Sequence, residues 1–301
     1  MRLRNLGGLL AVSLSLGLGG RPAAEERAPV LVSSEWLARN LNDPGLVILH
    51  VAMLQAGAPK ELIPGARVLD YRAITEDRGG LPVEMRPVPE LVEAFQAAGV
   101  SNQKRVVIYG EGWPHNAARA FVTLDYLGHG DRTSLLDGGL EAWKAEGRPV
   151  VSQPLSAERA TFKAKPRPEM LVSADWIAGR LEDPKLALID ARPLDEYSGE
   201  RKQEGLRGGH IPGAYNLFYQ DLVVSQQNPR LKDLEYVKAR FSEAGAAKGG
   251  PVVSYCYIGM RASYTYLISR HLGYDAKFYD PSWAEWGRRE ELPRVAGPSR
   301  R

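Results

Sequence analysis

Cysteine is the rarest residue in the chain: Cys256 stands alone among 301 residues. A single cysteine excludes an internal disulfide and any metal centre built from several thiolates. Histidine is also scarce, with five residues, and four of them (His50, His115, His129 and His271) show no metal-ligand spacing with one another or with Cys256. We therefore expect no metal site.

The chain also lacks a marked excess of positive or negative charge. The chain has 39 lysines and arginines against 36 acidic residues, a formal net charge of +3, and no basic run. Proteins that bind nucleic acid through its phosphates carry a marked basic surface. We expect neither nucleic acid nor a membrane as a partner, and we expect a monomer.

Long apolar runs are absent except near the N-terminus. Arg2 and Arg4 precede an uncharged stretch over residues 6–20, and small residues follow up to Ala24. This order is typical of a secretory signal peptide cleaved after residue 24, whereas a membrane anchor needs a longer apolar run. Cleavage removes three arginines and no acid, so the net charge falls to 0. We expect export, to the periplasm.

The chain contains an internal duplication. An Ile-Pro-Gly-Ala turn at residues 63–66 returns at 211–214, and the apolar segment 105–110 returns at 251–256. Asp137 and Trp143 likewise return as Asp280 and Trp286. The offset stays between about 140 and 148 residues, which indicates two copies of one domain.

Each copy alternates short apolar strands with helical stretches. This alternation predicts an α/β fold in which a mostly parallel sheet is covered by helices on both faces. Ser33 and Ser173 are expected to cap helices, and Gly128 and Gly273 to end them. The predicted units are a signal peptide (1–24), a first domain (28–150), a connector (151–170), a second domain (171–292) and a tail (293–301).

Cys256 follows the apolar strand 251–255 and opens the loop 256–261, after which a helix begins. A strand–loop–helix junction directs backbone N–H groups and the positive end of a helix at whatever the loop encloses. Such donors favour the thiolate, the nucleophilic form of cysteine. The alternative is a buried structural cysteine, which is a common environment for a lone thiol.

These repeated elements resemble the tandem-domain rhodaneses, a family of sulfurtransferases, over residues 31 to 292. The residues around Cys256 and the later segment 279–287 are similar to the bacterial thiosulfate sulfurtransferase branch. The resemblance implies two rhodanese-like domains, of which only the second is catalytic. The sequence agrees, since Gly110 occupies the position of Cys256 in the first copy.

The resemblance further implies that Cys256 attacks thiosulfate and carries a persulfide, so that no organic cofactor is needed. The partners are then a small anionic sulfur donor and a cyanide or thiol acceptor. The residues expected to bind substrate are the loop residues and an Asp-x-Arg element at a strand end: Tyr257, Ile258, Gly259, Met260, Arg261, Asp190 and Arg192. For Asp190 and Arg192, an ion pair that only braces the loop is the alternative; for Arg261 it is pairing with a surface carboxylate.

The chain departs from the family at several positions. Tyr257 and Ile258 replace the two basic residues of the better-known thiosulfate enzymes and the Gly-Ser-Gly sequence of the mercaptopyruvate enzymes. Leu62 stands where the mercaptopyruvate branch tends to have histidine, and Glu196 where both branches commonly have arginine. 3-Mercaptopyruvate therefore remains the alternative donor, and a non-enzymatic sulfur-carrier or binding module the alternative function.

A Cys-based phosphatase is a further alternative, but its loop needs five residues between cysteine and arginine. Only four separate Cys256 from Arg261.

Overall fold

The computed structural model describes residues 27–300, so the predicted signal peptide lies outside the described residues. The strands are β1 (Leu31–Val32), β2 (Leu46–Ala52), β3 (Ala66–Asp70), β4 (Thr75–Arg78), β5 (Leu81–Met85), β6 (Arg105–Tyr109), β7 (Thr133–Leu136), β8 (Ala187–Asp190), β9 (Tyr215–Asn216), β10 (Pro251–Tyr255) and β11 (Asp275–Phe278). The helices are α1 (Ser34–Asn40), α2 (Val88–Ala97), α3 (His115–Tyr126), α4 (Gly139–Ala145), α5 (Ala174–Ala178), α6 (Leu194–Ser198), α7 (Leu234–Glu243), α8 (Met260–His271) and α9 (Ser282–Trp286).

Two parallel sheets form the centres of the two domains. The first has the order β1-β7-β6-β2-β3 and the second the order β11-β10-β8-β9. Their central strands, β2, β6 and β10, are almost wholly buried, as expected for parallel strands covered on both faces. Strands β4 and β5 form a separate antiparallel hairpin in the first domain.

The predicted helix ends are confirmed. The side chains of Ser33 and Ser173 each accept a hydrogen bond from the backbone N–H three residues ahead, at 3.1 Å. Each satisfies a donor that the first helical turn leaves unpaired. Gly128 and Gly273 follow the ends of α3 and α8 with positive φ angles of 82° and 80°, a conformation that glycine adopts without strain.

The duplication is visible in matching contacts. In the first domain the Tyr109 hydroxyl accepts a hydrogen bond from the backbone N–H of Ile63, at 2.9 Å. In the second domain Tyr255 accepts the corresponding bond from Ile211, at 3.2 Å. Both bonds join the end of a central strand to the Ile-Pro-Gly-Ala turn, so the repeated sequence elements occupy equivalent places.

The segment that joins the two sheets runs along the surface of the first domain. Its backbone N–H groups at Leu155, Ala160 and Lys165 donate to carbonyls of that domain at 2.8 to 3.0 Å, and the Phe162 ring is buried. The domain boundaries themselves stay a prediction.

Helices α3 and α8 pack against each other across the domain interface. Asp125 of α3 is fully buried there and accepts hydrogen bonds from Tyr266 (2.7 Å) and Arg270 (2.8 Å) of α8. Arg167 donates to its other oxygen at 2.5 Å. Several donors thus compensate a buried carboxylate, which ties the domains together. Over residues 27–300, no helix combines the length and apolar character needed to cross a membrane.

Candidate active site at the Cys256 loop

Cys256 lies directly beyond the carboxyl end of β10, and its side chain is buried. Its backbone N–H donates to the Ser282 hydroxyl at 3.1 Å, and its carbonyl accepts from the Trp283 N–H at 3.0 Å. The Tyr257 carbonyl accepts from the Ala284 N–H at 2.8 Å. The start of α9 therefore fixes the first two residues of the loop.

The next part of the loop leaves its N–H groups available. Among the described residues, none accepts a hydrogen bond from the backbone N–H of Tyr257, Ile258 or Gly259. Helix α8 begins at Met260, and the first N–H groups of any helix have no partner within it. The predicted strand–loop–helix junction is present, and it provides a set of donors suited to an anion.

Both the backbone conformation and the neighbouring atoms at position 259 require a glycine. Its φ angle is 78°, and an added Cβ would lie 2.7 Å from both the carbonyl oxygen and Oδ1 of Asp280. The loop therefore rests directly on the backbone and side chain of Asp280.

Asp280 in turn belongs to a buried ion pair with Arg119, which comes from α3 of the first domain. Arg119 Nη2 donates to Asp280 Oδ2 at 3.1 Å and to the Val83 carbonyl at 2.8 Å. The Met85 N–H donates to the same Asp280 oxygen at 3.0 Å. The first domain thus supports the Cys256 loop through its contacts with Asp280.

Sequence reasoning missed Arg119 and Ser282. A signal for Arg119 was available, because an arginine interrupts the otherwise small and apolar residues 117–122 of α3. Ser282 occupies the position of Gly139 in the first copy, and the two have similar positive φ angles of 56° and 54°. A serine in that conformation is uncommon, and here its hydroxyl holds the Cys256 N–H.

Arg261 pairs with Glu196 of α6, in an ion pair whose two side chains are only 21% and 9% exposed. Burial alone lowers the pKa of Arg261, but hydrogen bonding to Glu196 and the negative charge of an ionised Cys256 together raise it above its usual value. Arg261 therefore remains a cation at the end of the Cys256 loop. The pair also accounts for Glu196 at a position where the family commonly has arginine.

Asp190 and Arg192 form a second buried ion pair at the end of β8. Arg192 Nη2 donates to Asp190 Oδ2 at 2.6 Å and to the Gly209 carbonyl at 2.8 Å, and both side chains are almost fully buried. The ion pair of the alternative interpretation is present, and these contacts join it to the Gly209 carbonyl and not to the Cys256 loop. Substrate binding by the pair stays a prediction.

A cavity of about 290 Å³ opens beside the loop. Its walls come from both domains: Tyr257, Ile258, Met260 and Arg261 from the loop, and Met53, His115 and Asn116 from the first domain. Burial, and secondarily the charge of Arg261, lower the pKa of His115 to about 4, so this histidine is neutral at pH 7. The site is therefore completed by the first domain.

The equivalent position in the first domain has no nucleophile. Gly110 takes the place of Cys256, and its carbonyl accepts from the Leu140 N–H at 3.2 Å, as the Cys256 carbonyl does from Trp283. His50 stands in the place of Asp190, and burial lowers its pKa to about 4. Within the described residues no group of three or more histidine, cysteine, aspartate or glutamate side chains is placed to hold a metal ion.

Comparison with known proteins agrees with this duplicated arrangement. The family model of the Rhodanese-like domain matches residues 33–146 and again residues 173–289. The chain belongs to the rhodanese family. The 3-mercaptopyruvate sulfurtransferase of Escherichia coli (strain K12) is 31% identical over 275 residues, which cover 87% of this chain and 96% of that protein. The thiosulfate sulfurtransferase of Azotobacter vinelandii is 31% identical over 269 residues, with coverage of 88% and 96%.

Among solved structures, a rhodanese-fold 3-mercaptopyruvate sulfotransferase from Escherichia coli is 25% identical, with a TM-score of 0.72. The match covers 85% of this chain and 99% of that chain. The predicted α/β fold with two tandem rhodanese-like domains is confirmed. Sequence identity does not separate the thiosulfate from the mercaptopyruvate rhodaneses, because both relatives are equally similar.

Proposed function

We propose that this rhodanese moves sulfane sulfur from thiosulfate to a thiophilic acceptor through a persulfide on Cys256. The observation that supports the proposal most is the loop itself. It contains the chain's one thiol, the backbone N–H groups of Tyr257, Ile258 and Gly259, which have no acceptor among the described residues, and the guanidinium of Arg261. Those groups stabilise an anion on sulfur in both states of the cycle, the thiolate and the persulfide.

In the first step the Cys256 thiolate attacks the outer sulfur of thiosulfate. A bond forms between the two sulfurs, the bond to the sulfite group breaks, and sulfite leaves with the electron pair. In the second step cyanide or a thiolate attacks the outer sulfur of the persulfide. The Cys256 thiolate is then released as the leaving group, so neither step needs an external oxidant or reductant.

Thiosulfate is favoured over 3-mercaptopyruvate by three positions at which the chain departs from the mercaptopyruvate enzymes. Tyr257 and Ile258 provide no small polar side chain of the kind found in the mercaptopyruvate enzymes. Leu62, at the position where that branch tends to have histidine, is fully buried in the core of the first domain. It supplies no polar group to a keto acid. The 31% identity to a 3-mercaptopyruvate sulfurtransferase keeps that donor as the second candidate.

A phosphatase is less compatible with the site, and a non-enzymatic carrier remains the alternative function. A phosphatase loop would use its arginine to clamp phosphate, whereas both terminal nitrogens of Arg261 bind Glu196. A non-enzymatic carrier would require only a persulfide and no rapid turnover.

The deciding experiment compares the two donors on one enzyme preparation. The mature chain is incubated with thiosulfate or 3-mercaptopyruvate in the presence of cyanide, and sulfite, pyruvate and thiocyanate are measured. We expect kcat/KM to be at least about tenfold higher for thiosulfate, a difference that reflects the transition state and not donor binding alone. A higher value for 3-mercaptopyruvate would reassign the donor. A persulfide seen by intact mass without turnover would instead support the carrier.

We also propose that the chain is exported, on the basis of the predicted signal peptide. Expression of the full sequence with periplasmic fractionation and N-terminal sequencing tests this. A mature N-terminus immediately after Ala24 supports the proposal, and an intact N-terminus in the cytoplasm contradicts it.

A further inference from the structure

The first domain contains a cleft of about 730 Å³ at the carboxyl end of β2. His50, Glu111, Leu140 and Glu141 contribute to its walls. By the repeat, this is the place that the Asp190–Arg192 pair and the Cys256 loop occupy in the second domain. The matching cavity of the second domain measures only about 10 Å³.

Smaller side chains account for this difference. Large residues that line the cavity of the second domain have smaller counterparts around the cleft: Arg192 corresponds to Ala52, Arg207 to Pro59, Tyr257 to Glu111 and Trp283 to Leu140. The first domain therefore lacks the groups that fill this space in the second, and its cleft is large enough for a small molecule.

Carboxylates set the charge of the cleft. Three carboxylates (Glu61, Glu111 and Glu141) and two ammonium groups (Lys60 and Lys144) line it, and Lys144 is paired with Glu61. Glu141 Oε1 accepts from the Gly112 N–H at 2.5 Å, while its buried Oε2 has no partner among the described residues. Burial, followed by repulsion from Glu141, raises the pKa of Glu111. The cleft thus has one more carboxylate than ammonium group.

His50 adds a buried neutral group. Its side chain is only 2% exposed, and its Nδ1 has no partner within the described part of the chain. Its Nε2 lies 3.9 Å from Glu111 Oε1. Together with the carboxylates, this imidazole favours a ligand that carries a positive charge and N–H donors, such as a primary ammonium.

The cleft adjoins the cavity beside the Cys256 loop. Met53 and Asn116 line both spaces. The two spaces therefore meet at these residues, and Tyr257, Ile258 and Arg261 line the cavity beyond them.

We propose that the cleft of the first domain binds the ammonium group of a small aminothiol, which accepts the sulfur carried by Cys256. This inference rests on the proposed sulfurtransferase function. The thiolate of the bound molecule attacks the outer sulfur of the persulfide, the sulfur–sulfur bond to Cys256 breaks, and the Cys256 thiolate takes the electron pair. The aminothiol leaves as a persulfide.

Binding is tested without chemistry by calorimetry on the Cys256→Ser protein, with cysteamine as the probe. The neutral 2-mercaptoethanol and the anionic 3-mercaptopropionate are matched probes of similar size. We expect cysteamine to bind more tightly than either, and Glu111→Gln or Glu141→Gln to weaken it about fivefold, the upper range for a partly exposed ion pair. Ala52→Arg should prevent binding, because it adds a cation and fills the cleft. Glu235→Gln, an exposed change on α7, is the control.

Transfer is tested on persulfide formed with thiosulfate and freed of excess donor. For each variant the second-order rate constant for cysteamine is divided by that for 2-mercaptoethanol, which cancels differences in persulfide formation. We expect this ratio to fall about fivefold in Glu111→Gln and Glu141→Gln, and to stay constant in Glu235→Gln. Equal ratios in all variants, or equal binding of the three thiols, overturn the aminothiol site. If no persulfide forms, the proposed function fails, and the calorimetry still decides whether the cleft binds an ammonium group.

Discussion

Glu196 holds the guanidinium of Arg261 through two parallel hydrogen bonds, with N–O distances of 3.0 and 2.7 Å. A bidentate pair of this kind fixes orientation as well as charge. Helix α6 thereby anchors the last residue of the Cys256 loop, and the carboxylate partly offsets the positive charge available to an anionic donor. The carboxylate pairing that was the alternative for Arg261 is thus present, with a partner that is 9% exposed, and donor binding by Arg261 stays a prediction.

Substitutions of the two partners should act in opposite directions. Arg261→Ala removes the cation, so we expect kcat/KM for thiosulfate to fall about 10- to 100-fold and alkylation of Cys256 at neutral pH to slow. Glu196→Gln keeps one acceptor but removes the neutralising charge, so KM for thiosulfate should fall. Steady-state kinetics and iodoacetamide labelling measure both effects. Unchanged values in both variants would show that Arg261 has only a structural role.

Cys256→Ser should abolish sulfur transfer and leave the fold intact. The hydroxyl of serine ionises far less readily than a thiol, and the new side chain fits the same buried space. Thiocyanate formation measures the activity, and thermal unfolding provides the control for folding. Cys256 would be removed from the mechanism by a variant that keeps more than a few per cent of the activity.

Gly259→Ala should destabilise the protein more than Gly273→Ala does. The two glycines have nearly equal φ angles, 78° and 80°, but an added Cβ meets Asp280 at 2.7 Å only at Gly259; at Gly273 nothing lies within 4 Å. Gly273→Ala, the matched control, introduces backbone strain alone and should lower the free energy of unfolding by about 1 kcal/mol. Gly259→Ala should lower it by on the order of 2–4 kcal/mol. Urea unfolding measures both. Equal costs would mean that the contact with Asp280 is unimportant.

Residues 168–301 expressed alone should fold poorly, or show weak activity and a short-lived persulfide. The fragment lacks Arg119 and the Met85 N–H, which compensate the buried Asp280, and it exposes the face of α8 that packs on α3. Circular dichroism and the decay of the persulfide by mass measure the outcome. Adding residues 27–167 should restore activity. A fragment as stable and active as the whole chain would show that the first domain is dispensable.

Glu84 should make the stability of the domain interface depend on pH. Burial, with a further contribution from Asp280, raises its pKa to about 8, against an ordinary value of 4.5. Between pH 4.5 and about 8, Glu84 therefore keeps its proton in the folded state but has released it in the unfolded state. The free energy of unfolding should fall as the pH rises from about 4.5 to 8, by on the order of 1–3 kcal/mol.

Urea unfolding of wild type and Glu84→Gln at several pH values tests this. Glutamine keeps the shape of the protonated side chain, so the variant should lose most of the slope and be more stable than wild type at pH 8. Parallel pH profiles for the two proteins would exclude Glu84 as the source.

Much of the site could be predicted because it is local in sequence. The apolar strand before Cys256, the glycine at 259 and the start of α8 follow one another along the chain, so their propensities alone predict a loop with free N–H groups. The role of Glu196 could not be predicted in this way, because it lies 65 positions from its partner.

The sequence by itself determined the duplication, the alternation of strands and helices, and the loss of the nucleophile at Gly110, since each depends on residue types and spacing alone. Only the tertiary structure decided that Ser282 holds the Cys256 N–H, that Arg119 of the first domain supports the loop through Asp280, and that the first domain retains a wide cleft. Those features depend on which side chains meet across the fold and on the volume they leave unfilled. Neither quantity is encoded in any short segment of the chain.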